Sequence, residues 1–254
     1  MPFMTILNER IYYHQTGENG GVGRTVVLLH GSGGTGQKWA AQLAGIAGHR
    51  ILAPDLPGHG QSEGQARGSV AEYREFVSGC VEALGLKRIV IGGHSLGGAI
   101  ALDFALTRPD LVDGIILVGS GGRLRVKPEI LEMLSRGERP VGNVEYTYSP
   151  STSKDLLDKA AKEMQDVPAR VFLADFMACD SFDVLDRLAS IGVPTLVVCG
   201  KDDRMTPVKY SEYLSGRIPN AKLVLVPDAG HMVMIEQPRE VNEHIAAFID
   251  ALHG

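Results

Sequence analysis

The chain has 254 residues, with 25 Lys plus Arg against 30 Asp plus Glu and a formal net charge of −5. The length suits one α/β domain with an insertion as well as two domains, and the mild acidic balance, without a long run of one sign, gives no electrostatic footprint for nucleic acid. No apolar stretch approaches transmembrane length, residues 1–9 lack the basic-then-apolar pattern of a signal peptide, and Cys80, Cys179 and Cys199 are scattered with no C-x-x-C pair. The expectation is a cytoplasmic protein with reduced, mostly buried cysteines, no metal site on them and no membrane insertion.

Taken in order, Thr5–Leu7 and Arg10–His14 are short β-rich runs that predict an antiparallel hairpin at a sheet edge. A glycine-rich loop covers 17–23. Thr25–Leu29 (TVVLL) is a continuous apolar run, too short for a helix, and suits a central parallel strand. It ends in His30-Gly31-Ser32-Gly33-Gly34, followed by a predicted helix over 37–47 that carries Trp39. Arg50–Ala53 is the next strand, and the Pro/Gly-rich segment 54–62 is a structured turn. Ser69 with Glu72 forms a candidate capping box for a helix that stops at Gly85. Strands at 88–91 and 114–118 flank a helix over 95–107.

From Gly121 to about Ser190 the strand pattern disappears. Short helices are expected at 130–134, 156–164 and 169–179, punctuated by Pro128, Pro140, Pro150 and Pro168, with a helix over 183–191 returning to the core. This divides the chain into a core (1–120 and 191–254) and a helical lid (121–190) inserted after the sixth strand. Strands resume at 195–199 and 221–226, with helices over 210–215 and 238–252. About eight strands joined by helices imply a mostly parallel sheet covered on both faces, with any site at the carboxyl ends of its strands.

The most informative stretch is Ile89-Val-Ile-Gly-Gly-His-Ser95-Leu-Gly-Gly-Ala-Ile100. A strand runs into a sharp turn and then a helix, with Ser95 at the apex. Gly93 and Gly97 flank it at the G-x-S-x-G spacing, where a Cβ would collide as strand and helix close. The first N–H groups of the helix are free to hold a negative oxygen. The plainer reading is a glycine-rich turn with an incidental serine. A serine hydroxyl needs a base, and His231, after Gly230 in the loop beyond the last strand, is the strongest candidate. An aspartate must then fix the tautomer of the imidazole.

The chain resembles the α/β-hydrolase superfamily, specifically its small lid-bearing serine esterase, enol-lactonase and C–C hydrolase branch. The resemblance rests on the serine elbow, the His30-Gly31 turn, Asp55-x-x-Gly58-x-Gly60-x-Ser62, a late Asp loop and Gly230-His231, all in the family's order. It implies the α/β-hydrolase fold and a catalytic set of Ser95, Asp203 and His231. Asp203 is preferred to Asp202 because Gly200-x-x-Asp203-x-x-x-Pro207 matches the family pattern. It also implies an oxyanion hole from the backbone N–H groups of Ser32 and Leu96, a structural role for His30 and Asp55, and no metal or organic cofactor. As an added expectation, the Ser32 hydroxyl supplies a third hydrogen bond to substrate or oxyanion. His59 and His94 are read as structural or pocket-lining.

The activity implied is carboxylic ester hydrolysis through an acyl-enzyme on Ser95, acting on small to medium, largely apolar substrates. Pocket candidates are Met133, Phe172, Phe176 and Met177 in the lid, and Met232 beside His231. The alternative is enol-lactone or C–C bond hydrolysis, whose carboxylate-bearing substrates would call on Arg123, Arg125, Lys127 or Arg170; a solvated charged face explains these residues equally well. Cofactor-free haloperoxidase or oxygenase chemistry, hydroxynitrile lyase chemistry and pure ligand binding also keep such a serine set and stay open. An epoxide- or halide-directed enzyme is disfavoured, because those branches carry Asp where this chain has Ser95. The expected partner is a small-molecule ester or lactone, and a homo-oligomer stays open.

Overall fold

The computed structural model describes residues 3–16, 23–139 and 144–252. Most of the glycine-rich stretch over 17–23, as well as Pro140 and His253, lies outside these residues. Among the described residues, eight strands form one sheet: β1 (Phe3–Ile6), β2 (Glu9–Thr16), β3 (Thr25–Leu29), β4 (Arg50–Pro54), β5 (Ile89–His94), β6 (Val112–Val118), β7 (Thr195–Gly200) and β8 (Ala221–Val226). Their spatial order is β1-β2-β4-β3-β5-β6-β7-β8. β2 is antiparallel to both β1 and β4, and every pairing from β4 onward across the sheet is parallel. This is the α/β-hydrolase architecture the sequence predicts, with the hairpin at one edge.

The sequence reason is visible strand by strand. β3, β5, β6 and β7 are covered on both faces, so they read as largely apolar runs, interrupted in β6 only near its start by the half-buried Asp113. Alternate residues serve opposite cores. Val27, Leu29, Ile91 and Leu117 pack under α2 (Val70–Ala83) and α3 (Leu96–Thr107). Val26, Leu28, Val90 and Ile116 face Trp39 and α10 (Pro238–Ala251). α3 is apolar on most sides because it sits inside the first core, and its one acid, Asp103, pairs with Arg74 at 2.9 Å.

Several local expectations are met and a few are corrected. Ser69 Oγ accepts the Glu72 N–H at 3.3 Å, capping α2, while the Glu72 carboxylate turns back to accept the Ser69 hydroxyl at 2.8 Å rather than its backbone N–H. The predicted helix over 37–47 is instead a 3₁₀ turn, Gly36–Trp39, running into α1 (Ala40–Gly45). The predicted helix over 183–191 is also a 3₁₀ segment, Leu185–Ser190. Leu7 belongs to the hairpin turn rather than to the strand: Leu7 and Asn8 have φ of 50° and 65°, the signs a two-residue type I′ turn requires. Between β6 and β7 the described helices are α4 (Pro128–Ser135), α5 (Val144–Thr147), α6 (Lys154–Asp166) and α7 (Ala169–Ser181). After β7 come α8 (Val208–Arg217), α9 (Val233–Glu236) and then α10. No helix of the described residues is long and apolar enough to cross a membrane.

Candidate active site

The parallel strands bring four sequence-distant segments to one edge: the loops after β3, β5, β7 and β8. Ser95 follows β5 directly and has φ 53° and ψ −114°, a conformation a side chain rarely adopts. Neighbours hold it there. Ser95 N–H donates to the Val118 carbonyl at 3.0 Å, and Ser120 Oγ donates to the Ser95 carbonyl at 2.8 Å. The flanking glycines are sterically required. A Cβ on Gly93 would lie 2.1 Å from the Gly97 carbonyl carbon, and one on Gly97 would lie 2.3 Å from the Leu29 oxygen.

His231 and Asp203 meet at this edge. His231 Nδ1 donates to Asp203 Oδ2 at 2.9 Å, and both residues are buried. Asp203 Oδ1 accepts the N–H groups of Met205 and Thr206 at 2.9 and 2.8 Å, and Thr206 Oγ1 donates to Oδ2 at 2.8 Å. Burial works against the charge on Asp203. The facing His231 and the Thr206 bonds outweigh it and hold the carboxyl below its ordinary range. Asp202 turns elsewhere and accepts the Ser149 hydroxyl at 2.6 Å. An imidazole fixed through Nδ1 presents Nε2 as an acceptor. Among the described residues neither His231 Nε2 nor Ser95 Oγ has a hydrogen-bond partner. A Cβ on Gly119 would touch both His231 Nδ1 and Asp203 Oδ2, so this glycine lets the β6 loop close against the pair.

A family model described as "Alpha/beta hydrolase family" matches residues 26–244, which includes every one of these segments. The chain belongs to the α/β-hydrolase family. It is similar to the 2-hydroxy-6-oxononadienedioate/2-hydroxy-6-oxononatrienedioate hydrolase of Cupriavidus pinatubonensis (31% identical over 266 residues, 94% of this chain and 90% of that one). It is also similar to the "Putative carbamate hydrolase RutD" of Rhizobium rhizogenes (30% over 244 residues, 90% and 93%). Among solved structures, that of a thermophilic esterase matches at 35% identity with a TM-score of 0.84, covering 98% of this chain and 97% of that one.

In this α/β-hydrolase the loop after β3 lies against the elbow: a Cβ on Gly31 would come within 3.2 Å of Ser95 Cβ. The Leu96 N–H is the first of α3 and has no partner within the helix. The Ser32 N–H donates to no other group among the described residues. The Ser32 hydroxyl lies 3.8 Å from Cys179 Sγ on α7.

The remaining histidines of the site are framework. His30 Nδ1 donates to the Gly31 carbonyl at 2.8 Å, and its Nε2 accepts the Leu56 N–H at 3.0 Å. His94 Nε2 donates to the His231 carbonyl at 3.0 Å. Burial, reinforced by neighbouring histidines, pushes both well below the ordinary imidazole range, so both are neutral. Asp55 bridges two loops, accepting Gly36 N–H at 2.7 Å and Gln61 N–H at 2.9 Å.

Of the pocket candidates, Phe172 is buried against Gly33, the Phe176 ring lies tilted to it with centroids 6.0 Å apart, and Met133 is half-buried on α4. Met232 packs between the second core and the α5–α6 cluster. Met177 departs from the expectation: it is 50% exposed on the outward face of α7, turned five residues from Phe172. Arg123 and Arg125 are exposed and paired with Asp183 at 3.6 and 3.5 Å. Sequence reasoning missed Thr206, whose Oγ1 also lies 3.2 Å from His231 Nδ1. Its position three residues after Asp203 was the available signal, since that spacing suits a carboxylate capping its own loop.

Proposed function

We propose that this α/β-hydrolase cleaves carboxylic esters of small to medium, largely apolar substrates through an acyl-enzyme on Ser95. The observation that carries the reading is the buried His231–Asp203 pair, held at 2.9 Å at the same sheet edge as the Ser95 elbow. In this mechanism His231 Nε2 takes the Ser95 proton as the hydroxyl attacks the carbonyl carbon. The backbone N–H groups of Ser32 and Leu96 receive the oxyanion. His231 then gives the proton to the leaving alcohol, and water activated by His231 releases the acid. The segment 121–190 acts as the lid, with Phe172, Phe176, Met133 and Met232 shaping an apolar pocket. No step calls for a metal or an organic cofactor.

A second reading, hydrolysis of a C–C bond or enol-lactone in a carboxylate-bearing substrate, is favoured by the likeness to a dienedioate hydrolase. Against it, Arg123 and Arg125 are exposed and already share Asp183 as a partner. A substrate panel separates the two: p-nitrophenyl esters of rising acyl length, an alkyl carbamate, an enol-lactone and a vinylogous 1,5-diketone acid. Preference for a neutral ester supports the first reading. Weak ester turnover with strong turnover of the carboxylate-bearing compounds supports the second.

A further inference from the structure

A second cluster of ionisable groups lies outside the Ser95, His231 and Asp203 set. Asp175, on α7, is fully buried. A buried carboxylate persists only when donors surround it. Its Oδ1 accepts the Tyr73 hydroxyl at 2.5 Å. Its Oδ2 accepts the Gly33 N–H at 2.7 Å and faces His59 Nε2 at 3.0 Å. His59 Nδ1 lies 3.0 Å from the Pro57 carbonyl, which can only accept, so Nδ1 carries a proton. The close contact at Nε2 then requires a second proton between His59 and Asp175.

One face of α7 covers the turn after β3. Phe172, Asp175 and Cys179 stand three and four residues apart and therefore share that face. Phe172 blocks the space beside Gly33: a Cβ there would lie 2.2 Å from its ring. Asp175 takes the Gly33 N–H. Cys179 meets the Ser32 hydroxyl, and burial pushes its thiol up to about 12, so it does so uncharged. The turn itself closes through Gly34 N–H to the Gly31 carbonyl at 3.0 Å, with Ser32 and Gly33 at its centre and Gly33 at φ 64°. Positive φ at the third position is the type II arrangement. The Gly33 N–H belongs to the central peptide of that turn, and turning this peptide over gives type I. The bond to Asp175 opposes that flip.

We propose that Asp175 is a positioning residue for the oxyanion hole: its carboxylate, carried on α7, pins the Ser32–Gly33 peptide and so holds the turn whose preceding peptide presents the Ser32 N–H to the oxygen that becomes negative over Ser95. The inference rests on the roles given to Ser95 and Ser32 above. It makes α7 part of the catalytic platform.

The test compares wild type with Asp175→Asn, Asp175→Ala and Tyr73→Phe. Three quantities are read: kcat and KM on p-nitrophenyl butyrate, inhibition by an aliphatic trifluoromethyl ketone that adds to the serine as a tetrahedral oxyanion, and amide exchange across residues 31–34. Asp175→Ala is expected to speed exchange at residues 32–34 and lower kcat by roughly 30-fold with KM within about threefold, since small misplacements of an oxyanion donor cost that order. Ketone affinity falls in parallel. Asp175→Asn keeps a weaker, neutral acceptor and falls by about fivefold. Tyr73→Phe, which leaves the Gly33 bond, loses stability and keeps kcat within about twofold. Equal kcat in Asp175→Asn and Tyr73→Phe overturns the proposal, even if the alanine variant does not fold, and so does unchanged exchange at 32–34. A wild type inert to both ester and ketone refutes the Ser95 reading instead, and with it the aim assigned to Ser32.

Discussion

Asp203 Oδ2 lies 2.9 Å from His231 Nδ1, whereas the adjacent Asp202 turns to Ser149 at 2.6 Å. Two neighbouring carboxylates thus have separate partners, and their removal should have separate consequences. Asp203→Asn should lower kcat by about 10⁴-fold, the cost of losing the carboxylate that orients a catalytic imidazole. Asp202→Asn should stay within about threefold of wild type. Steady-state kinetics on p-nitrophenyl butyrate checks this, and similar losses in both variants would contradict the assignment.

Thr206 acts on the same carboxylate through its side chain. Thr206→Val removes one donor from a buried, charged acceptor and should cost about 1–3 kcal/mol of stability by urea denaturation. The lost donor also loosens His231, so kcat should fall about tenfold with little change in KM. A variant as stable as wild type would show that the hydroxyl is dispensable.

Histidines set the pH dependence of stability. His30 and His94 are held neutral by burial, below their unfolded value of about 6.5. Below that pH the unfolded chain binds protons that the native chain does not, so stability is present above it and is lost on acidification. Each contributes a slope of about 1.4 kcal/mol per pH unit. His59 works in the opposite direction. Burial opposes its charge, but Asp175 raises it above the ordinary value, so its contribution is complete at low pH and is lost as pH rises through its native pKa. Stability should therefore peak near neutrality. Urea titrations should show a shallower acid limb for His94→Asn and a shallower alkaline limb for His59→Asn; limbs unchanged from wild type would contradict this.

The exposed arginines Arg123 and Arg125, which follow β6, provide a specificity test. Because Arg123 and Arg125 already pair with Asp183, the double Ala variant should keep KM within about threefold for both a neutral ester and a carboxylate-bearing one. A rise of tenfold or more for the carboxylate-bearing ester alone would assign these residues to substrate binding.

The parts of this account legible in sequence are those written in local pattern. The runs Thr25–Leu29 and Thr195–Cys199 are apolar because both sheet faces are covered. Gly93 and Gly97 are glycines because backbone passes well inside van der Waals contact of where a side chain would start. What is not legible depends on contacts between distant residues. Asp175 and His59 are 116 positions apart, and only a lone acid within Val171-Phe-Leu-Ala-Asp175-Phe-Met-Ala178 hints that a carboxylate is being buried. Helix periodicity alone could have separated Met177 from Phe172, whereas the 3₁₀ character of Leu185–Ser190 has no clear signal in its residues.

The most direct test of the central claim is covalent labelling of Ser95, with turnover measured in parallel. Wild-type protein treated with a fluorophosphonate should gain one adduct, located at Ser95 by peptide mass mapping. Ser95→Ala should gain none, keep its fold, and lose at least about 10³-fold in kcat. An adduct on another residue, or ester turnover retained in a clean Ser95→Ala preparation, would contradict the assignment of Ser95 as the nucleophile.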